Sequence, residues 1–202
     1  MGKTEYNIKD IISVRERIKG LQTGSRYEHT LGVAYTAACM AFIFGEDPLK
    51  AELTGLLHDC AKCYSDSELI QMCTDAGIAL SKAQLDSPAV IHAIYGRLLA
   101  ERDFGICDED ILNSIEYHTT GRPCMSRLEK IIFAADYIEP LRDKASDLPI
   151  ARQLAFSDLD KCVFEILDST VRYLRNTGRH IVPETISAHN YYAEITARVC
   201  NE

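Results

Sequence analysis

The sequence predicts an all-α protein that forms one domain. Apolar residues recur with the 3.6-residue period of a helix along nearly the whole chain, and no stretch shows the strict alternation of a half-buried strand. Most of these stretches begin at a residue that can cap a helix and end at a glycine or proline. The 202 residues suit one substantial core, and no repeat, low-complexity segment or linker divides them.

Five helices are predicted in the first half of the chain. Ser25 with Glu28 should form a capping box at the start of the second helix, and Ser65 with Glu68 another at the start of the fourth. Pro48 suits the first helical position of the third. In chain order, the predicted helices, with the residues that mark their ends, run from Tyr6 to Leu21, from Ser25 to Gly45, from Asp47 to Asp59, from Ser65 to Gly77 and from Ser87 to Gly105.

Four more helices are predicted in the second half, with a polar loop at residues 141–149 between the second and third of them. Ser126 with Glu129 is expected to cap the helix that ends before Pro140. The signals of these four helices lie at Glu109 and His118, Ser126 and Glu139, Asp158 and Asn176, and Glu184 and Val199.

Composition narrows the class of protein. A formal net charge of -8 argues against a basic surface that binds nucleic acid, but it allows a phosphorylated small substrate if bound cations invert the local field. No apolar run approaches the ~18 residues that a membrane span needs. Residues 1–10 are polar and do not resemble a signal peptide, so the eight cysteines are expected to be reduced, in the cytoplasm. Cys60 and Cys63 are spaced as Cys-x-x-Cys, but no second pair or βαβ pattern supports a zinc or redox site.

The dipeptide His58-Asp59 ends an apolar run that begins near Leu53. Such polar groups are costly at the end of a buried helical stripe unless a positive partner meets them. Four further residues of ligand type lie near or within apolar helical stretches: His29, His92, His118 and Asp136. Four imidazoles and two carboxylates on facing helices can hold two divalent cations, which predicts a metal-dependent hydrolase.

The order of these residues resembles that of a known family. His29, His58-Asp59 and Asp136 are arranged as in the HD-domain phosphohydrolases, and His92 with His118 resembles the subset with a dinuclear centre. Within that family the chain resembles the YqeK group, over residues 6–192. The motifs that carry the resemblance are Ser-Arg-Tyr-Glu-His-Thr-Leu-Gly-Val (25–33), Gly-Leu-Leu-His-Asp-Cys-Ala-Lys (55–62), Ile-His-Ala-Ile-Tyr-Gly (91–96), His-Thr-Thr-Gly (118–121) and Ala-Asp-Tyr-Ile-Glu-Pro (135–140). One departure is Lys144-Ala-Ser-Asp147, where the group is expected to have a turn with Pro-Gly.

The resemblance implies an HD-domain helical bundle over residues 1–202, with a metal-binding core at about 25–140 and C-terminal helices at 150–200 packing on it. It also implies symmetrical hydrolysis of diadenosine tetraphosphate to two ADP by a hydroxide held between two divalent ions. Iron is the first expectation, and manganese or another divalent ion remains open. One ion would be held by His29, His58, Asp59 and Asp136, and the second by Asp59 as a bridge with His92 and His118. His58, Asp59 and Lys62 would take part in catalysis.

Several residues are candidates for substrate contact, each with a structural alternative. Lys62 could bind phosphate or simply be solvated, and the same choice applies to Thr119, Gly121, Arg122 and Arg142. For His180 and His189, capping or packing is as good an interpretation as a role in the site. The expected partner is a small nucleotide, with no nucleic acid and no membrane, while a homodimer remains open. Two other functions also remain open, a di-iron oxygenase and a nucleotide sensor without catalysis.

Overall fold

The computed structural model describes residues 6–199 and confirms the all-α fold. Within that range it contains α-helices, one 3₁₀ turn at Pro88–Val90 and no strand. The helices are α1 (Ile8–Leu21), α2 (Gly24–Phe44), α3 (Pro48–Leu57), α4 (Asp66–Asp75), α5 (Lys82–Leu85), α6 (Ile91–Phe104), α7 (Glu109–Tyr117), α8 (Arg127–Ile138), α9 (Leu148–Leu154), α10 (Leu159–Asn176) and α11 (Pro183–Val199). None of these helices combines the length and apolar character that crossing a membrane would need.

The centre of the fold is formed by α2, α3, α7 and α8. Helix α3 packs along α2, and both contact α8, while α7 contacts α3, α6 and α8. Gly55 permits the close crossing of α2 and α3, because a Cβ atom at this position would lie 2.6 Å from the Cα atom of Ala34. The C-terminal end of α3 is therefore held against α2, and this contact brings the histidines of the two helices together.

Local capping explains several helix starts, as predicted. Asp47 caps α3 by accepting from the backbone N–H groups of Leu49 and Lys50, with Pro48 at the first helical position. Ser65 and Glu68 form the predicted capping box of α4. Ser126 accepts from the backbone N–H of Glu129, but the Glu129 carboxylate does not complete a box, because it pairs with Arg122 instead.

Other local predictions are wrong. The predicted box of Ser25 and Glu28 does not form, because α2 already begins at Gly24 after Thr23, and His29 lies in its second turn. The chain after Ser87 first makes the 3₁₀ turn, so His92 is the second residue of α6. The predicted loop at 141–149 ends early, since α9 begins at Leu148 with Pro149 in its first turn, where its missing N–H costs nothing.

The last two helices cover the core from one side. Helix α10 packs on α8, α9 and α11, and its buried face includes Val163, Ile166 and Leu167. The Tyr192 side chain of α11 is almost fully buried, and its hydroxyl accepts from the backbone N–H of Met125. These contacts hold α11 against the turn that leads into α8.

Candidate metal centre

The structure brings all six candidate ligands to one point at the ends of α3 and α7. The five residues other than Asp136 are at least nine-tenths buried, and Asp136 is partly buried. Three overlapping groups could each hold an ion, with ligand atoms within 4.8 Å of one another: His29 with His58 and Asp59, His58 with His118 and Asp136, and Asp59 with His92 and His118. Three residues, His58, Asp59 and His118, each belong to two of these groups. The cluster therefore contains more ligand groups than one cation needs.

Asp59 lies between two pairs of histidines. Its Oδ2 atom is 3.6 Å from His58 Nε2 and 3.9 Å from His29 Nε2. Its Oδ1 atom is 3.1 Å from His92 Nε2 and 3.5 Å from His118 Nε2. Each carboxylate oxygen therefore faces a different pair, so Asp59 lies where it could bind a cation on either side.

His58 and His118 are oriented by the ends of their own helices. Each follows the last residue of a helix, and each donates its Nδ1–H to the carbonyl three residues earlier, Gly55 and Ile115, at 2.7 Å in both cases. The last carbonyls of a helix have no intrahelical partner, so the imidazoles satisfy them. A proton on Nδ1 leaves the Nε2 lone pair of each ring for a cation.

His29 is oriented by a carboxylate instead. Its Nδ1 atom lies 3.1 Å from Oε1 of Glu139, which is 1% exposed. The other oxygen of Glu139 accepts from the backbone N–H of Leu141 at 2.7 Å. A ligand histidine that donates its second N–H to a carboxylate is a common arrangement at metal sites, because it fixes the tautomer and makes the ligand more basic. Glu139 therefore fixes the orientation of the His29 ring and leaves its Nε2 atom facing the cluster.

The donor atoms fit divalent cations. The buried Nε2 atoms of His29 and His58 have no hydrogen-bond partner, although such atoms are normally paired. His29 Nε2 lies 3.1 Å from Asp136 Oδ1, and His92 Nε2 lies 3.3 Å from His118 Nε2. Imidazole nitrogens and carboxylates suit iron, zinc and manganese. A cation beside His58 would give its Nε2 atom a partner, and the Nε2 atoms of His29, His92 and His118 already lie within 3.5 Å of a carboxylate oxygen of the cluster.

The protonation states of the cluster depend on burial and on the neighbouring charges. Burial lowers the pKa of His58 to about 4 and also lowers that of His92, so both imidazoles are neutral near pH 7. Burial alone would raise the pKa of Asp59, but His58 and hydrogen bonds from His118 and His92 hold it well below its usual range. Burial would also lower the pKa of His29 and His118, but Asp136 and Glu139 raise the pKa of His29, and Asp59 raises that of His118. A cation would have to displace a proton from these two imidazoles, because a histidine binds metal in its neutral form.

Lys62 lies next to the second pair of histidines. Its Nζ atom is 2.9 Å from Nδ1 of His92, and burial lowers the pKa of the amine. An ammonium there donates to Nδ1, which places the ring proton of neutral His92 on Nε2, the atom that faces Asp59. For His92 to bind a cation through Nε2, Lys62 must turn to another acceptor.

His29 and Asp136 border a cavity of about 500 Å³, which is also lined by Arg26 and Arg142. Arg26 Nη1 lies 2.9 Å from Asp59 Oδ2, and Arg142 Nη2 lies 2.6 Å from Asp136 Oδ1. Arg152 of α9 donates to the carbonyls of Ile138, Glu139 and Arg142, and so fixes the turn that carries Arg142. Two guanidinium groups therefore border the ligand carboxylates at the mouth of the site.

The other predicted site residues are divided in space. The Thr119 hydroxyl lies 3.1 Å from His118 Nε2 and 3.4 Å from His92 Nε2, within the centre. Gly121 has a φ of +65° and packs against Ala188 and Leu167, and the turn directs Arg122 to a two-bonded pair with Glu129. The structure thus does not bring Gly121 or Arg122 to the ligand cluster, and their role in substrate binding stays a prediction.

The remaining motifs lie outside the cluster. His189 Nε2 lies 3.1 Å from Asp168 Oδ1, between α10 and α11, and His180 is exposed and accepts from Ser87 Oγ through its carbonyl. The seven cysteines within the described residues are free, and Cys200 lies outside those residues. Cys60 is buried with its thiol donating to the Gly96 carbonyl, whereas Cys63 is exposed.

Sequence reasoning missed four residues that support the centre. Arg26 and Glu139 contact ligands directly, Arg152 fixes the Arg142 turn, and the Gln22 side chain donates to the carbonyl of Asp59 at 3.2 Å. Arg26 and Glu139 both stand in motifs that carried the resemblance. No pattern in the sequence points to Gln22 or Arg152.

Comparisons with known proteins agree with this geometry. The HD domain model matches residues 26–141. The symmetrical bis(5'-nucleosyl)-tetraphosphatase of Bacillus subtilis (strain 168) is 39% identical over 178 residues, which cover 86% of this chain and 92% of that protein. The protein with the same description in Staphylococcus aureus (strain NCTC 8325 / PS 47) is 37% identical over 169 residues, covering 83% and 86% of the two chains.

A solved structure has the same fold. The crystal structure of a predicted HD superfamily hydrolase involved in NAD metabolism from Clostridium acetobutylicum superposes with a TM-score of 0.87 at 40% identity, covering 91% of this chain and 96% of that one. The chain therefore belongs to the HD-domain family, in the branch that contains the symmetrical bis(5'-nucleosyl)-tetraphosphatases.

Proposed function

We propose that this protein hydrolyses dinucleoside tetraphosphates symmetrically, so that diadenosine tetraphosphate and water give two ADP. Relatives that match most of the chain are named for this reaction. The observation that carries the proposal is Asp59, whose two carboxylate oxygens face different histidine pairs beside an open cavity. Two cations bridged in this way suit the hydrolysis of a phosphoric anhydride.

The proposed cofactor is a pair of divalent ions, with iron as the first choice. His29, His58 and Asp136 would hold one ion, His92 and His118 the other, and Asp59 both. The histidine-rich ligand set favours iron, zinc or manganese over magnesium. When bound, the two ions lower the pKa of a water and neutralise charge on phosphate oxygens, which is most of what phosphoryl transfer requires.

The residues of the chain would position the phosphates around this centre. The guanidinium groups of Arg26 and Arg142 border the ligand carboxylates and can bind phosphate oxygens in a bidentate fashion. Lys62 can supply a point charge from the side of His92, because a phosphate would give its ammonium a better acceptor than the imidazole. Thr119 can donate a hydrogen bond at the same side. Burial of the candidate ligands excludes bulk water from their own donor atoms.

The other functions that the sequence left open receive less support. The relatives carry the name of the hydrolase, and neither a di-iron oxygenase nor a silent sensor is favoured. The complete ligand set also exceeds what a sensor needs. We further propose that residues 1–202 act as one domain in the cytoplasm, on a nucleotide rather than a nucleic acid. A homodimer would be consistent with the exposed apolar side chains of Phe42 and Ile43 on α2.

The test is product analysis with a panel of nucleotides. Purified protein is loaded with Fe²⁺ under anaerobic conditions and, separately, with Mn²⁺, and is incubated with diadenosine tetraphosphate, diadenosine triphosphate, ATP and ADP. Chromatography should show ADP as the one product of the tetraphosphate, with little turnover of ATP. The Asp59→Asn variant serves as the matched control, since it keeps the volume of the side chain and removes the charge. Equal turnover of every nucleotide, or activity that Asp59→Asn retains, would contradict the proposal.

A further inference from the structure

A second cavity, of about 570 Å³, adjoins the metal cavity. It lies between the C-terminal end of α8, residues 144–147 and the second half of α10. Tyr137, Lys144 and Ala145 line both cavities, so the two adjoin along these residues and together form a trough with a wall across it. A ligand with its phosphates at the metal ligands would pass over these residues to reach the second cavity.

The wall between the two cavities is held by hydrogen bonds. Tyr137 directly follows the ligand Asp136, and its hydroxyl donates to the buried carboxylate of Asp147 at 2.9 Å. The same hydroxyl lies 3.4 Å from Ser169 Oγ on α10. These contacts tie residues 144–147 to both α8 and α10, so the second cavity has a fixed wall.

The far end of the trough offers groups suited to a nucleoside. Tyr173 is 53% exposed, and the guanidinium carbon of Arg179 lies 5.7 Å from the centre of its ring. Ser169, Thr170 and Asn176 bring hydroxyl and amide groups to the same cavity. An exposed aromatic ring stacks with any nucleobase, and short polar side chains can hydrogen-bond a ribose or the edge of a base.

Positive charge lies where phosphates would enter. Lys144 is exposed at the junction of the two cavities, and Arg142 stands on the metal side of it. Asp143 lies between the two basic residues and also lines the metal cavity, so the rim of that cavity is of mixed charge. An anionic chain that runs from the metal ligands to α10 would pass both basic residues.

We propose that the second cavity is the subsite for one nucleoside of the substrate, with the base stacked on Tyr173 and the adjoining phosphates beside Lys144. The proposal rests on the proposed function, in that a dinucleoside polyphosphate needs a site for a base beside the centre that cuts its phosphate chain. It gives Arg179 the role of covering the outer side of the Tyr173 ring.

The test compares binding of ADP and inorganic pyrophosphate by calorimetry, with the metal-loaded protein. Stacking of one base contributes about 1–3 kcal/mol, so Tyr173→Ala should weaken ADP binding by about tenfold or more. Pyrophosphate has no base and should bind the variant as it binds the parent. Tyr173→Phe keeps the ring and should retain the affinity for ADP.

Tyr35→Ala is the matched control for removal of an exposed ring. Tyr35 lies on α2, is 48% exposed, and has the guanidinium carbon of Arg15 5.5 Å from its ring centre. Its removal should leave ADP binding unchanged. Parent-like ADP binding by Tyr173→Ala would overturn the subsite, and so would equal losses for ADP and pyrophosphate or an equal loss in Tyr173→Phe. A parent protein that binds ADP through Tyr173 and cleaves no dinucleotide would contradict the proposed function alone.

Discussion

The two halves of the ligand cluster differ in what holds their histidines. In the half formed by His29, His58 and Asp136, both imidazoles give Nδ1–H to an acceptor, the Glu139 carboxylate and the Gly55 carbonyl. In the other half, His118 is held in the same way by the Ile115 carbonyl. His92 differs from all three, because its Nδ1 atom faces the amine of Lys62.

This difference sets an expected order of metal binding. Where Nδ1 donates to a fixed acceptor, Nε2 is already available to a cation. Where Nδ1 faces an ammonium, the ring must change its tautomer and the lysine must move before Nε2 can bind. The first half is therefore expected to bind its ion more tightly, and the second half to gain its ion together with the movement of Lys62.

The largest expected effect is that of removing the residue common to both halves. Asp59→Ala should abolish hydrolysis and lower the metal content more than any other single ligand change. The loss of affinity should exceed the roughly 100-fold that follows removal of an outer partner of a ligand. Metal analysis and turnover of diadenosine tetraphosphate check this. Two ions and near-normal turnover in the variant would show that the bridging assignment is wrong.

Single histidine substitutions should show that the two halves of the cluster differ in their affinity for metal. His92→Ala should keep about one ion per chain, because it removes a ligand of the weaker half only. His29→Ala removes a ligand of the tighter half and should reduce the affinity of the first ion that binds. Both variants should be nearly inactive, since both ions serve the reaction. Titration with Mn²⁺, followed by calorimetry, distinguishes them, and identical binding curves would remove the proposed difference between the halves.

A smaller effect is expected from the partner behind His29. Glu139→Gln replaces an acceptor carboxylate with a group that can still accept a hydrogen bond but carries no charge. It should weaken metal binding by roughly tenfold, the lower end of the effect of outer ligand partners. Glu129→Gln is the matched control. Glu129 is buried like Glu139, but it lies within α8 and pairs with Arg122 away from the candidate ligands. Equal effects of the two changes would point to general destabilisation.

The smallest effects concern substrate contacts. Lys62→Ala and Arg142→Ala should each raise KM by roughly tenfold and change kcat less, since a hydrogen bond to a charged group contributes about 1.5–3 kcal/mol and would be made in the ground and transition states alike. Arg122→Ala should leave KM unchanged, because that guanidinium is bound to Glu129. Steady-state kinetics with the folded variants would decide whether Arg122 belongs to the site as the sequence suggested.

The sequence was sufficient to predict the all-α fold and the six candidate ligands that the structure brings together. The helix ends at His58 and His118 could be located from their apolar runs, and the order of the ligands was typical of a known family. Residues that follow a ligand directly were harder to place. Arg122 is a candidate for substrate contact because it follows His118 closely, with a structural role as the alternative, and the left-handed turn at Gly121 leads its side chain to Glu129.

Partners far apart in the chain could not be predicted. Glu139 meets His29 across 110 residues, and this contact depends on how α2 crosses α8. The start of α2 was also predicted wrongly. The helix begins after Thr23, with no side-chain cap, and does not begin at Ser25. Period and motif therefore predicted nine of the helices and the residues that cluster, but not the short α5 and α9 or the contacts that depend on helix packing.

The most direct test of the account is hydrolysis of diadenosine tetraphosphate in water labelled with ¹⁸O, with products analysed by mass spectrometry. Attack by water on an interior phosphorus, with cleavage of the central P–O–P bridge, should give ADP alone, with one label for every two ADP molecules, on the phosphorus that was interior in the substrate. The Asp59→Asn variant should incorporate no label. Substantial AMP and ATP, or label in either of them, would contradict symmetrical cleavage at this centre.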